Sequence, residues 1–359
     1  MSLDKYISEH HCLQVSILKD ALVSRRYARN ILTLALAVLG VLSILCAFSL
    51  GRFMVPLDQV FRILLAQAIP LEQTWTDQMA VVVLVIRLPR VICAFLVGCA
   101  LSLSGAVYQG VFKNPLVSPD LLGVSSGACV GASLAILAHL SGLFIQISAF
   151  TVGIAAVLLS VGISRLFKQR TPMTLVLSGI IVGGLFSAIL SLCQYVANVY
   201  EQLPAIIFWT LGSLATANKV DVWTLLPIVV VFTAILMLMR WRLNLLSLGN
   251  EEAGSLGIHV GRLRGFAIVC STALTASAVC ISGTVGWIGL IVPHLGRLLI
   301  GSDNTHLLPA SCLLGGTFLV IVDTLARNLT SSEIPLSILT GIMGTVLFVL
   351  IIINRRMQI

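Results

Sequence analysis

Apolar runs long enough to cross a bilayer recur almost without pause from residue 31 to the carboxyl terminus. They fall near residues 31–51, 88–112, 122–140, 144–164, 173–196, 222–239, 263–283, 286–300, 308–326 and 335–353. A hydrocarbon core of about 30 Å takes about 20 apolar residues in helical form, and a helix satisfies its own backbone hydrogen bonds there. The runs therefore predict an all-α polytopic membrane protein with about ten transmembrane helices. The eighth run is short and carries glycine, and the turn from Asn114 to Pro119 blurs the boundary between the second and third. Of the 359 residues, 58% are hydrophobic and 10% charged, with a mean hydropathy of +1.05. A soluble domain of that length has no means of covering so much apolar surface. The organisation that follows is a cytoplasmic lead-in over residues 1–30 and one transmembrane domain over residues 31–359.

Basic residues orient the chain, because cytoplasmic loops retain Lys and Arg. With the amino terminus inside, about sixteen of the 22 basic residues lie on that side, Arg165, Lys168, Arg170, Arg262 and Arg264 among them. About six lie outside: Arg52, Arg62, Arg87, Arg90, Lys219 and Arg327. Both termini are predicted to be cytoplasmic. The lead-in carries charges of both signs and no small-residue cleavage site, so it is not expected to be a cleavable signal peptide. The net charge of +8 reflects this asymmetry. No basic patch is interleaved with aromatics, and no nucleic-acid partner is expected. The nine cysteines sit singly, without CxxC spacing, as small lipid-compatible residues. His10, His11 and Cys12 suit a metal ion or simply a polar tail; the tail is the plainer reading, and no metal site is expected.

The chain has no GxxxxGK[ST] loop, no HExxH, no GxSxG and no carboxylate pair spaced for acid–base work. No catalysis and no cofactor of its own are expected. A catalytically empty polytopic chain points to a transporter or channel.

Several motifs admit two readings. Gly98, Ser102, Gly105 and Gln109 share one helical face, as do Gly179, Gly183, Ser187 and Ser191. Such stripes let helices approach closely, and they also suit the wall of a polar path; the second is the better path candidate because it is richer in polar groups. Arg87 and Arg90 bracket Pro89 at the outer end of the second span, where they serve equally as interface anchors or as a docking point for carboxylates. Asp323 and Arg327, one helical turn apart, form an i, i+4 ion pair, unless Arg327 points outward as a third docking charge. Residues 246–264 form a short helix between glycine hinges. Asn250 caps it, and Glu251 and Glu252 stand in its first turn. Its apolar Ala253, Leu256 and Ile258 would be exposed without a partner, which favours a protein interface. Pro293 marks a kink or re-entrant element in the eighth span, where His294 suits proton sensing or ligand binding or, on the plainer reading, satisfies a freed carbonyl. Residues 203–214 are too short to cross and suit an interfacial half-helix with Trp209 at headgroup depth.

Six stretches, in order, resemble the FecCD-type permeases, the membrane subunits of bacterial ABC importers for iron chelates, haem and cobalamin. They are RLPR (Arg87 to Arg90), GAVYQGVFKNPLVSPDLLGVSSGA (Gly105 to Ala128), FWTLGSL (Phe208 to Leu214), LGNEEAGSLGI (Leu248 to Ile258), GWIGLIVPHLGR (Gly286 to Arg297) and the region from Asp323 to Pro335. The resemblance implies a type II importer permease of the inner membrane. It would dimerise with an identical or related permease, above two ABC ATPase subunits that bind the ATP and magnesium, and beneath a periplasmic or lipid-anchored binding protein. It further implies that Leu248, Gly249, Asn250, Glu251, Glu252, Ala253, Leu256 and Gly257 belong to a coupling helix within 248–258. Arg87, Arg90 and Arg327 would receive carboxylates of the binding protein. Asn114, Leu116, Thr171 and Thr174 would form the inner gate, and the helix bearing Gly179, Gly183, Ser187 and Ser191 would line the path. Two departures stand out: the lead-in is longer than usual, and Asn250 stands where an acidic residue is more common. The implied cargo is an iron chelate, a ferric siderophore on family abundance, with haem, cobalamin or another metal chelate as alternatives. The rival from another class is an ion-coupled secondary transporter. Such proteins carry ionisable groups near the membrane centre, and here His294 is almost the only one.

Overall fold

The computed structural model describes residues 30–167, 172–246, 253, 255 and 259–356. His10, His11, Cys12 and nearly all of the lead-in fall outside them, and no strand occurs among the described residues. Among the described residues, seven helices are long and apolar enough to cross a membrane: α1 (Asn30–Ser49), α3 (Asp77–Val111), α5 (Gly142–Ser164), α6 (Pro172–Val196), α8 (Lys219–Leu245), α9 (Val260–Ser282) and α11 (Asn304–Asn328). Two shorter ones, α4 (Val124–Leu137) and α10 (Ile288–Ile300), together with α12 (Leu336–Arg356), whose apolar part runs to Ile351, complete the expected ten. The anticipated half-helix is present as α7 (Gln202–Leu211). One helix had no counterpart in the apolar pattern: α2 (Leu57–Leu65), which buries Val60 and Ile63, three residues apart, and leaves Leu57, Phe61 and Leu65 exposed.

α3 is the axis of the bundle. At 35 residues it starts eleven positions before the expected 88, where the Thr76 hydroxyl accepts the Met79 amide at 3.3 Å. Pro89 does not break it, because residues Val82–Arg87 form a π-helical segment in which the Leu88 amide bonds the Val83 carbonyl, five residues back. The wider turn accommodates a ring that would otherwise press on the preceding turn. Further along, small residues let α3 touch its neighbours backbone to backbone. A Cβ on Gly98 would come within 2.1 Å of the Gly315 carbonyl oxygen, and one on Gly105 within 1.9 Å of that of Gly289. The Ser102 hydroxyl donates to the Ser311 carbonyl at 2.6 Å, and the hydroxyls of Tyr108 and Thr272 meet at 2.7 Å. The first small-residue stripe is thus a packing surface, where close approach and interhelical hydrogen bonds replace the missing hydrophobic drive.

α4 is short because residues before it fold back into the bundle. A 3-10 turn (Pro119–Leu122) ends at Gly123, whose φ of +82° suits glycine. The turn is wedged tightly: Leu122 accepts the Ser160 hydroxyl at 2.9 Å, and a Cβ on Gly179 would lie 1.9 Å from the Leu121 carbonyl oxygen. Pro293 likewise sits inside α10 without ending it. The helix bonds it disturbs are met from α3, where the Gln109 side-chain amide donates to Leu290 at 3.1 Å and to Gly289 at 3.4 Å. The His294 ring lies edge-on to Phe348 with centroids 6.2 Å apart.

Candidate functional site

Three groups of residues carry functional expectations, and the fold treats each differently. At the outer end, in the orientation set by the basic residues, Arg87, Arg90 and Arg327 are buried, with 3%, 4% and 7% exposure. Arg90 is gripped from two sides. Its Nε donates to both Asp323 oxygens at 3.0 and 3.1 Å, and its Nη1 and Nη2 donate to Glu333 Oε1 and Oε2 at 2.9 and 2.8 Å. Arg327 pairs with Asp323 at 3.4 Å, the expected i, i+4 contact, and donates to the Ala47 carbonyl at 3.2 Å. Arg87 turns to the end of α1, donating to the carbonyls of Phe48, Ser49 (3.2 Å) and Phe53 (2.5 Å). Cations suit the carbonyl-rich carboxyl end of a helix. Three guanidinium groups against two carboxylates leave the cluster one positive charge in excess. The three arginines are thus buried in the chain, each with partners of its own, because burying a guanidinium demands them.

Glu333 was not singled out from the sequence. The only signal was its place in the region from Asp323 to Pro335, and its contact with Arg90 spans 243 positions. Burial pushes its carboxyl up. The hydrogen bonds from Arg90 and the charges of Arg90, Arg327 and Arg52 outweigh that, and they hold it below the ordinary 4.5.

At the opposite end, the Asn114 side-chain oxygen accepts the Leu116 amide at 2.9 Å, and both residues are exposed, Leu116 by 58%. Thr174, half-buried, opens α6, where its carbonyl accepts the Ser178 hydroxyl at 2.8 Å; Thr171 lies outside the described residues. The turn and α6 are joined through Leu121 and Gly179. The second small-residue stripe consequently divides. Gly179 is consumed in packing on the turn and the Gly183 backbone passes close to Gly123, while a Cβ on Gly183 would point into open space and Ser187 and Ser191 are exposed. Around them Ile180, Leu185, Leu192 and Tyr195 are at least half exposed, so α6 presents an open face of apolar and hydroxyl groups. From Pro172 to Val196 the helix holds no Asp, Glu, Lys, Arg or His.

Of the coupling segment, Leu248, Gly249, Asn250, Glu251, Glu252, Leu256 and Gly257 lie outside the described residues. Ala253 is described, and its 1% exposure corrects the expectation that it stands bare; the chain itself covers it.

A family model described as the FecCD transport family matches residues 36–354. The chain is 43% identical over 319 residues to the molybdate import system permease protein MolB of Haemophilus influenzae, spanning 88% of this chain and 92% of that one. It is 39% identical over 280 residues to a probable iron chelatin transport system permease protein of Helicobacter pylori, covering 78% and 85%. It is also 39% identical over 290 residues to the hemin transport system permease protein HmuU of Yersinia pestis, covering 76% and 83%. Among solved structures, a metal-chelate type ABC transporter in an inward-facing conformation superposes with a TM-score of 0.81 at 37% identity, over 90% of this chain and 99% of that one. With the match running from α1 into α12 and through every motif above, the chain belongs to the FecCD transport family, as a permease of ABC importers.

Proposed function

We propose that this permease carries an iron chelate, a ferric siderophore, across the cytoplasmic membrane, paired with a second permease chain. Two separate ATPase subunits seated on residues 248–258 supply the energy, and a periplasmic or lipid-anchored binding protein delivers the cargo. The observation that carries the reading is the open face of α6. It offers serine hydroxyls among apolar groups and no Asp, Glu, Lys, Arg or His side chain. A wall of that kind admits a large, weakly polar chelate without trapping it. It also lacks the intramembrane charge on which ion-coupled transport depends. ATP binding closes the ATPase pair, moves the coupling segments and biases the path between outward and inward states. This chain does no chemistry.

Molybdate is a second reading, favoured by the 43% identity to a molybdate import permease. One experiment addresses both: uptake of radiolabelled iron supplied as a ferric siderophore, in a strain lacking this chain and then complemented with it. Restored, ATP-dependent uptake that excess molybdate leaves untouched supports the chelate. No restoration of iron uptake, with restored molybdate uptake, overturns it.

A further inference from the structure

A crevice of about 540 Å³ runs between α5, α6 and α9, apart from the arginine cluster, with Thr174 of the expected gate among its lining residues. Its size falls in the range of small-molecule sites. On α5 its lining extends from Ile154 to Arg165 and on α9 from Gly261 to Ala273, about 16–18 Å of helix on each wall. The two helices run in opposite directions, yet their polar lining groups coincide at one end: Ser164 and Arg165 close α5 while Arg264 opens α9. Beyond that end the walls are apolar, with only Thr272 as an exception. The crevice opens sideways between Leu158 and Val269, which are 66% and 61% exposed. Side chains that bare and that apolar mark a hydrocarbon boundary.

Charge adds a second line of argument. Arg165, Arg262 and Arg264 stand at that end, and no Asp or Glu occurs in the sequence from residue 142 to 200 or from 259 to 302. In the orientation set by the basic residues this is the cytoplasmic side, where the leaflet is anionic and basic groups attract its headgroups. A basic mouth over an apolar shaft aligned with the bilayer normal matches the polarity of one molecule, a phospholipid.

We infer that the crevice binds one anionic phospholipid of the cytoplasmic leaflet, its phosphate at Arg165 and Arg264 and an acyl chain between α5 and α9. The inference is independent of the cargo.

The test is native mass spectrometry of the full chain in detergent, titrated with phosphatidylglycerol and with phosphatidylcholine of the same acyl chains. The expected result is a preference for phosphatidylglycerol on the order of tenfold. Arg165→Gln with Arg264→Gln abolishes that preference, Arg165→Lys with Arg264→Lys retains it, and Leu158→Trp at the rim weakens both lipids. Equal affinity for the two lipids overturns the proposal, as does a preference that survives the glutamine pair. A preference seen in the monomer but absent from the permease dimer gives the crevice to the second chain and also overturns it. Melting curves of each variant, run alongside, identify any that is misfolded; the rim variant then decides.

Discussion

Asp323→Asn is the sharpest probe of the outer end, since it keeps the volume of the side chain and removes only its charge. Asp323 is 1% exposed and serves two arginines at once, Arg90 at 2.9 Å and Arg327 at 3.4 Å. A unit-charge pair at roughly 3 Å is worth about 5 kcal/mol at an effective dielectric of about 20. Stranding a buried partner costs about 3–5 kcal/mol in practice. Here Glu333 continues to hold Arg90, so the loss belongs near the lower bound, about 3 kcal/mol. The excess charge in the cluster rises from one to two. Thermal unfolding in detergent, scored by exposure of the buried cysteines to a thiol-reactive dye, should show a midpoint lowered by roughly 10 °C, taking about 2–4 °C per kcal/mol. Replacing the pair together, Arg90→Met with Asp323→Leu, should recover most of that loss, because a well-packed apolar substitute for a buried ion pair is often neutral. An Asp323→Asn midpoint within about 1 °C of wild type would refute the reasoning and assign the hold between α3 and α11 to packing alone.

Three further outcomes follow from the same geometry. The Glu333 carboxyl lies below its ordinary 4.5, so its contribution is complete above that value and lost as pH falls through the depressed one. The melting difference between wild type and Glu333→Gln should therefore be constant above about pH 5 and shrink in more acid buffer; a difference that grows toward low pH contradicts the assignment. Gly105→Ala forces a Cβ to 1.9 Å from the Gly289 backbone and should cost about 1–3 kcal/mol, whereas Gly183→Ala meets nothing within 4 Å and should leave stability unchanged. Glu251→Arg with Glu252→Arg should leave the melting curve intact and abolish transport-linked ATP hydrolysis in the reconstituted importer; unchanged transport removes residues 248–258 from the coupling role.

What the sequence made legible was whatever is written in nearby positions. The spans are visible because a bilayer imposes one length and one polarity on each. The half-helix at residues 202–211 is visible because it is apolar yet too short, and the Asp323–Arg327 pair because four residues make one turn. Partners that meet only after helices pack were hidden. The contact between Arg90 and Asp323 closes over 233 positions, so Arg90 reads locally as a bare charge at the end of a span. Gln109 gave no hint that it would serve carbonyls 180 residues away. The stripe on α6 was a single pattern in sequence and two surfaces in space, because half of it meets a turn that folds back among the helices. α2 went unseen for the opposite reason: nine residues of mixed polarity are too few for a span and ordinary enough for a loop.

The π-helical segment Val82–Arg87 amounts to one residue more than an α-helical course would need. It thereby sets a phase: each residue of an α-helix advances the azimuth by about 100°, so the part of α3 before Arg87 is indexed against the part after Pro89 by that single step. Deleting one residue within the segment would turn the outer piece by about a quarter revolution or more, carrying α3's amino-terminal stretch off its bearing while Arg90 kept its own. The helix works as a key with two sets of teeth cut at a fixed angle.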